Sequence, residues 1–152
     1  MIQQISSAAG PAITLSLLVL VSLSLGCSEL FNKSAAVSEL KTDDLVIGEG
    51  AEAVEGKNIV VHYTGWVFDP SKDDNKGTRF DSSRDRGMPF AFNLVNTAAI
   101  DGWIQGVPGM KVGGVRVLTI PAEMAYGEKE VLEGLIPANS ALVFEIELLR
   151  VR

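Results

Sequence analysis

Between Ala141 and Val151 the chain reads ALVFEIELLRV, which puts Leu142, Phe144, Ile146 and Leu148 on one side and Glu145 and Glu147 on the other. A period of two is that of a pleated strand with one covered face. The segments Asn58–Trp66 (NIVVHYTGW) and Val115–Ile120 (VRVLTI) are rich in β-branched and aromatic residues and bounded by glycines, so they are strands as well. One segment carries helical spacing. Ala99, Ile100, Trp103, Ile104 and Val107 recur at i, i+1, i+4, i+5 and i+8, behind Asn96-Thr97 as a cap and ahead of Gly106 and Pro108 as a stop. Many strands with one short helix predict an α+β domain, an antiparallel sheet curled around a helix that covers its apolar face.

A different pattern precedes this. Ala12 to Leu25 is an almost unbroken apolar run, shorter than the ~20 residues of a membrane-crossing helix but of the length of a signal-peptide core. It leads into Leu23-Ser24-Leu25-Gly26-Cys27-Ser28, where a small residue before the chain's sole cysteine resembles the lipobox of bacterial lipoproteins. In those proteins the cysteine becomes the acylated first residue. Residues Met1–Pro11 contain no Lys or Arg, and Ser24 stands where such boxes usually carry Leu. The stretch after Cys27 is small and polar, as a tether is. The expected division is therefore a signal peptide over 1–26, a lipidated cysteine with linker over 27–40 and a folded domain over 41–152. Export to the bacterial cell envelope follows, with a lipid anchor in a membrane. Ser28 after the cysteine, by analogy with Gram-negative lipoproteins, points to the outer one.

Composition narrows the chemistry. A chain of 152 residues has room for one ordinary domain besides such a leader. Thirteen Lys plus Arg against nineteen Asp plus Glu give −6, with no basic run, which disfavours nucleic acid as a partner. One cysteine and one histidine, His62, leave no disulfide framework and no thiolate or imidazole cage, so no metal is implied. Gly48 to Ala53 fits a G-x-G-x-x-A pattern, but no long helix follows it and a dinucleotide cofactor is excluded. His62, between Val61 and Tyr63 in a strand and without a serine or cysteine elbow, reads as structural.

There remains a group of aromatic residues at strand and helix ends, which either form the core or wall a pocket: Tyr63, Phe80, Phe90, Phe92, Trp103, Tyr126 and Phe144, accompanied by Asp81 and Arg86. In order along the chain, His62-Tyr63-Thr64-Gly65, Phe80-Asp81-Ser82-Ser83-Arg84-Asp85-Arg86, Pro89-Phe90, Gly102-Trp103, Gly109-Met110-Lys111-Val112-Gly113, Ala125-Tyr126-Gly127, Ile136-Pro137 and Leu142-Val143-Phe144 resemble the FKBP-type peptidyl-prolyl cis-trans isomerases. The resemblance spans about Leu45 to Val151. It implies a strongly curved antiparallel sheet around one short helix, in agreement with the periodicity. It also implies catalysis of X-Pro bond rotation without nucleophile, metal or cofactor, on proline-containing polypeptides, with macrolides of the tacrolimus and rapamycin type as further ligands. Trp103 would then be the pocket floor, with Tyr63, Phe90, Ile100 and Phe144 as walls and Phe80, Arg86 and Ile136 as further substrate-binding residues. Tyr126 and the N–H of Ile100 would hold substrate carbonyls, and Asp81 would act on the reacting amide, oriented by Tyr63 and Arg86. A binding module or chaperone with incidental isomerase activity is the alternative function.

Two segments depart from the family pattern. WVFDPSKDDNKGTR, between Gly65 and Phe80, is longer than the usual compact hairpin and predicts extra polar loop. The flap after Tyr126 carries Glu128, Glu130 and Glu133 against Lys129 and lacks the histidine often found there, which favours substrates with basic rather than acidic residues beside proline.

Overall fold

A computed structural model describes residues 37–95 and 99–152. The expected signal peptide, Cys27, most of the linker and the Asn96-Thr97 cap lie outside those residues. The described chain forms β1 (Lys41–Val46), β2 (Asn58–Phe68), β3 (Lys76–Ser82), β4 (Phe90–Asn93), α1 (Asp101–Gly106), β5 (Val115–Ile120), a 3-10 turn over Ala122–Met124 and β6 (Leu142–Val151). The strands make one antiparallel sheet in the order β1-β5-β6-β2-β3, with β4 also paired to β2.

The three strands expected from the sequence are present, and β2 runs two residues further, to Phe68. On β6 the alternation has its expected meaning, because Leu142, Phe144, Ile146 and Leu148 are buried and Glu145 and Glu147 are not. Part of the expected extra loop is strand. Trp66–Phe68 and Lys76–Arg79 extend the β2–β3 hairpin and leave only 69–75 to turn the chain, where Asp69 Oδ1 accepts the Ser71 N–H at 2.9 Å.

On one side β2 pairs with β6 from Ile59 to Val67. On the other it pairs with β4 over Asn58–Val61 and then with β3 from Thr64 onward. On that second side the changeover would leave the backbone N–H and carbonyl of residue 63 without a partner. Ser83 supplies one: its Oγ accepts the Tyr63 N–H at 2.9 Å, and its own N–H donates to the Tyr63 carbonyl at 3.0 Å. A buried amide left unpaired there would cost about 1–3 kcal/mol. His62 Nδ1, 2.9 Å from the same Oγ, completes the group, so the lone histidine has a structural partner.

Helix α1 is shorter than its apolar pattern suggests. Ile100 is its N-cap in an extended conformation (φ −63°, ψ 150°) without a side-chain cap, and its carbonyl accepts the N–H groups of Trp103 and Ile104. Six residues cannot form a stable helix alone. Packing holds it instead, through Gly102 and Gly106, which lie four apart and so share a face. A Cβ on Gly102 would overlap the side chain of Ile120, and one on Gly106 would meet Leu118 at 2.8 Å. The G-x-x-x-G spacing lets the helix backbone lie directly on β5. Arg116 then ties the end of the helix to the outer strand, donating to the carbonyls of Gly106 and Pro108 at 2.9 and 3.1 Å and pairing with Asp44 at 2.6 Å.

Gly102→Ala should therefore lower stability by about 1–3 kcal/mol, the range for overpacking. A melting curve should show Tm lower by several degrees. An unchanged Tm would mean that α1 can move off β5 at no cost.

Candidate active site

Above α1 the sheet leaves an open cavity of about 150 Å³. Ligand pockets for drug-sized molecules are roughly 300–1,000 Å³, so this one takes a single ring and its amide. Trp103, only 4% exposed, is its floor. Tyr63 from β2 and Phe144 from β6 meet the indole edge to face, with centroids 5.1 and 5.2 Å away and planes at 80° and 88°. This T-shaped geometry is the one that aromatic quadrupoles prefer. Phe90 stands at the rim, stacked 5.5 Å over Phe92, and Phe92 is buried core rather than lining. Ala99 and Ile100, at the entry to α1, and Tyr126, after the 3-10 turn, close the remaining sides.

Phe80 and Asp81 both line this cavity although they are consecutive in β3. In a regular strand they would point to opposite faces. The register explains it: Gly65 faces Asp81 and Trp66 faces Arg79, so Phe80 is the extra residue of a β-bulge. Bulges bend the strand and re-aim side chains. Gly65 makes room for the result, since a Cβ there would stand 2.6 Å from Phe80 Cζ and 2.7 Å from Phe144 Cε1.

One edge of the slot is polar. The Tyr63 hydroxyl donates to Asp81 Oδ2, and Arg86 donates to Asp81 Oδ1 and, at 2.9 Å, to the Tyr63 oxygen. Burial pushes the Asp81 carboxyl up, but these hydrogen bonds and the guanidinium charge outweigh it and hold it below the usual carboxylate range. Burial raises the Tyr63 hydroxyl, and its bond to Asp81 raises it further. Burial and then the Asp81 charge do the same for Tyr126. Near neutral pH the slot thus presents one fixed negative charge and two phenols that keep their protons.

Of the residues expected at the site, Tyr63, Phe80, Asp81, Phe90, Ile100, Trp103, Tyr126 and Phe144 line one cavity. Two do not. Ile136 is 1% exposed and belongs to the core, because the flap closes on itself there through paired backbone bonds between Val131 and Ile136 at 3.0 and 3.1 Å. Arg86 reaches the cavity only through Asp81 and Tyr63. Ala99 lines the slot and was not expected to, since a small residue ahead of a helix carries no signal of its own. Cys27 lies outside the described residues.

Comparison with known proteins fits this geometry. Residues 49–149 match the FKBP-type peptidyl-prolyl cis-trans isomerase family. An FK506-binding protein of Neisseria meningitidis serogroup A is 48% identical over 115 residues, covering 76% of this chain and 98% of the relative. The peptidyl-prolyl cis-trans isomerase FPR2 of Saccharomyces cerevisiae is 42% identical over 116 residues, 76% of this chain and 78% of the relative. Among solved structures, AtFKBP13 superposes with a TM-score of 0.63 at 38% identity, covering 77% of this chain and 96% of its own. FkpA from Escherichia coli gives 0.61 at 38% identity over 74% of this chain, which spans 48% of that longer protein. The chain belongs to the FKBP-type peptidyl-prolyl cis-trans isomerase family, has its curved-sheet fold and is an isomerase of X-Pro bonds.

Because the folded Asp81 carboxyl sits below its ordinary 3.8, its interactions stabilise the fold above that pH and are lost as pH falls through the lower folded value. Melting curves taken from neutral pH down into the acid range should therefore show a smaller loss of Tm for Asp81→Asn than for wild type. Parallel curves would mean that Asp81 gains nothing from Tyr63 and Arg86.

Proposed function

We propose that the aromatic slot catalyses rotation by desolvating the prolyl amide, and that the enzyme works on exported proteins from a lipid anchor at Cys27. The observation that carries the catalytic part is a buried Trp103 floor walled by Tyr63, Phe90 and Phe144, with charge confined to the Asp81 edge. Rotation about X-Pro is opposed by a barrier of about 20 kcal/mol, because the planar amide is resonance-stabilised. Water favours that polar planar form over the twisted one. An apolar slot removes the preference, and each ~1.4 kcal/mol gained is tenfold in rate. No bond breaks and no proton is consumed. The proline ring lies on Trp103, the Ile100 N–H and the Tyr126 hydroxyl hold substrate carbonyls, and Asp81, oriented by Tyr63 and Arg86, faces the twisting amide. A macrolide that presents a comparable ring and carbonyls occupies the same slot, as the names of the FK506-binding relatives suggest.

The location rests on the apolar run Ala12–Leu25 and on Gly26-Cys27 at its end. One acyl chain binds a membrane only marginally, but several on one cysteine anchor it stably. The polar segment after Cys27 would then hold the domain away from the bilayer, in the cell envelope where secreted chains fold, with the outer membrane favoured by Ser28.

Two measurements test these readings. On an X-Pro tetrapeptide, Trp103→Ala should nearly abolish kcat/KM and macrolide binding. Asp81→Ala should lower kcat/KM by roughly tenfold with a small change in Tm, since it deletes one directed interaction and little packing. Lower Tm with unchanged activity per folded molecule would instead mark the residues as structural. Metabolic labelling with a fatty acid should mark wild type and miss Cys27→Ser, and equal labelling of both would end the lipoprotein reading.

A further inference from the structure

A second cavity, about 320 Å³, lies between the β2–β3 hairpin and the flap that follows Tyr126. It is about twice the volume of the prolyl slot and shares none of its lining residues. Val67 and Phe68 from β2, Thr78 from β3, and Leu135 and Pro137 from the flap surround it. A second irregularity of register produces the space. Trp66 faces Arg79 and Phe68 faces Lys76, so β3 carries one more extra residue at Gly77–Thr78. Gly77 is required there, because a Cβ would meet the Val67 carbonyl oxygen at 2.7 Å and Asp69 Cβ at 2.8 Å. The opposite wall is equally shaped. Leu132, Glu133 and Gly134 all have positive φ (55°, 54° and 89°), a conformation that costs the first two of them energy and that turns the flap sharply. That turn leaves Leu132 and Leu135 about half exposed, at 47% and 49%.

From this groove we infer a second subsite, which binds an extended stretch of substrate polypeptide bearing apolar and basic side chains next to the target proline. The inference rests on the isomerase reading of the first slot and adds a substrate class to it. Three observations support this occupant. The two cavities adjoin the same strand: Phe80 walls the slot and Thr78, two residues earlier on β3, lines the groove. At most about 7 Å of strand separates these two lining residues, so one extended peptide can reach both cavities. The interior is apolar, with Val67, Phe68, Leu135 and Pro137. The rim is acidic: Asp69 lines it, with its carboxylate accepting the Ser71 N–H and O–H, and the Glu130 carboxylate comes within 3.7 Å of where a Cβ on Gly134 would lie. Of the hairpin lysines, Lys76 is paired with Glu145 at 2.8 Å and lies over the Trp66 ring, and Lys72, whose N–H donates to the Asp69 carbonyl at 3.1 Å, is among the described residues the one cation beside that rim carboxylate, against Asp69 and Glu130. An apolar trough with an acidic rim suits an unfolded segment that alternates Leu with Lys, and repels one that alternates Leu with Glu.

The test uses the purified full chain and synthetic peptides. A four-residue X-Pro peptide reaches only the slot. Twelve-residue versions carry the same proline extended by Leu-Lys, Leu-Glu or Gly-Ser repeats, and a labelled Leu-Lys peptide without proline reports on the groove alone by fluorescence anisotropy. Wild type should turn over the Leu-Lys peptide with KM about tenfold below that of the Gly-Ser peptide, the gain expected for burying one Leu side chain. The Leu-Glu peptide should gain less at low salt. Thr78→Trp, which fills the groove, and Leu135→Ser, which removes an exposed apolar wall, should both erase the gain and the binding of the proline-free peptide, with tetrapeptide kcat/KM unchanged. Equal KM for the Leu-Lys and Gly-Ser peptides, or a gain that survives both variants, overturns the subsite. Failure of wild type on the tetrapeptide overturns the slot reading instead, and the proline-free peptide still decides the groove.

Discussion

Trp103 is held on two sides at once, and both the fold and the slot depend on that. One side of its helix rests on β5 because Gly102 and Gly106 have no side chains to keep it away. On the other, its indole meets Tyr63, Phe144 and Phe92 within 5.1–5.5 Å. A helix of six residues has no stability of its own, so it exists only as long as this burial does. The ring that anchors α1 to the core is therefore also the floor of the slot. Loss of the indole would open a void beneath the sheet and costs about 3–5 kcal/mol in comparable cores.

The polar edge of the slot follows from a separate constraint, the change of partner along β2. Pairing of β2 with β4 stops at Val61, opposite Phe90, and pairing with β3 begins at Thr64, opposite Ser82, which leaves Tyr63 at a gap on that side of the ladder. Ser83 fills the backbone side of that gap. The side-chain side stays open, and the Tyr63 ring stands in it. The bulge at Phe80 then rotates Asp81 inward to meet the Tyr63 hydroxyl. A charge is so delivered to the margin of an aromatic slot from a strand whose regular pleat would have pointed it away.

Legibility in the sequence followed how evenly each element is covered. Strand β6 is buried on one face, so its alternation was plain. Strand β1 is exposed at every residue and shows no period, because it lies at the edge of the sheet with β5 as its one partner. The helix start was misplaced, since Ile100 is apolar at helical spacing yet remains extended, its carbonyl already used by the first turn. Most of the slot was legible only through ordered resemblance, because its residues come from β2, β3, β4, α1, β6 and the segment after the 3-10 turn. Ile136 does not line the slot for a physical reason: bridging of the flap at Val131 turns that side chain into the core. Neither bulge in β3 leaves a mark in composition, and Ala99 has no chemistry to announce it.

One detail of the floor shows how stability and reaction are balanced. Among the described residues, Trp103 Nε1 is a buried side-chain nitrogen without a hydrogen-bond partner. Such a donor ordinarily costs about 1–3 kcal/mol, and few survive in native interiors. Here the surrounding edge-to-face contacts offset it, each worth about 0.5–1.5 kcal/mol beyond area burial. A polar partner placed beside the indole would remove that cost, but it would also bring a dipole or water into the slot. The proposed desolvation of the prolyl amide needs an apolar floor. The unpaired nitrogen is thus consistent with a site whose walls are chosen for the absence of polar groups everywhere except at Asp81 and the tyrosine hydroxyls, where orientation is needed.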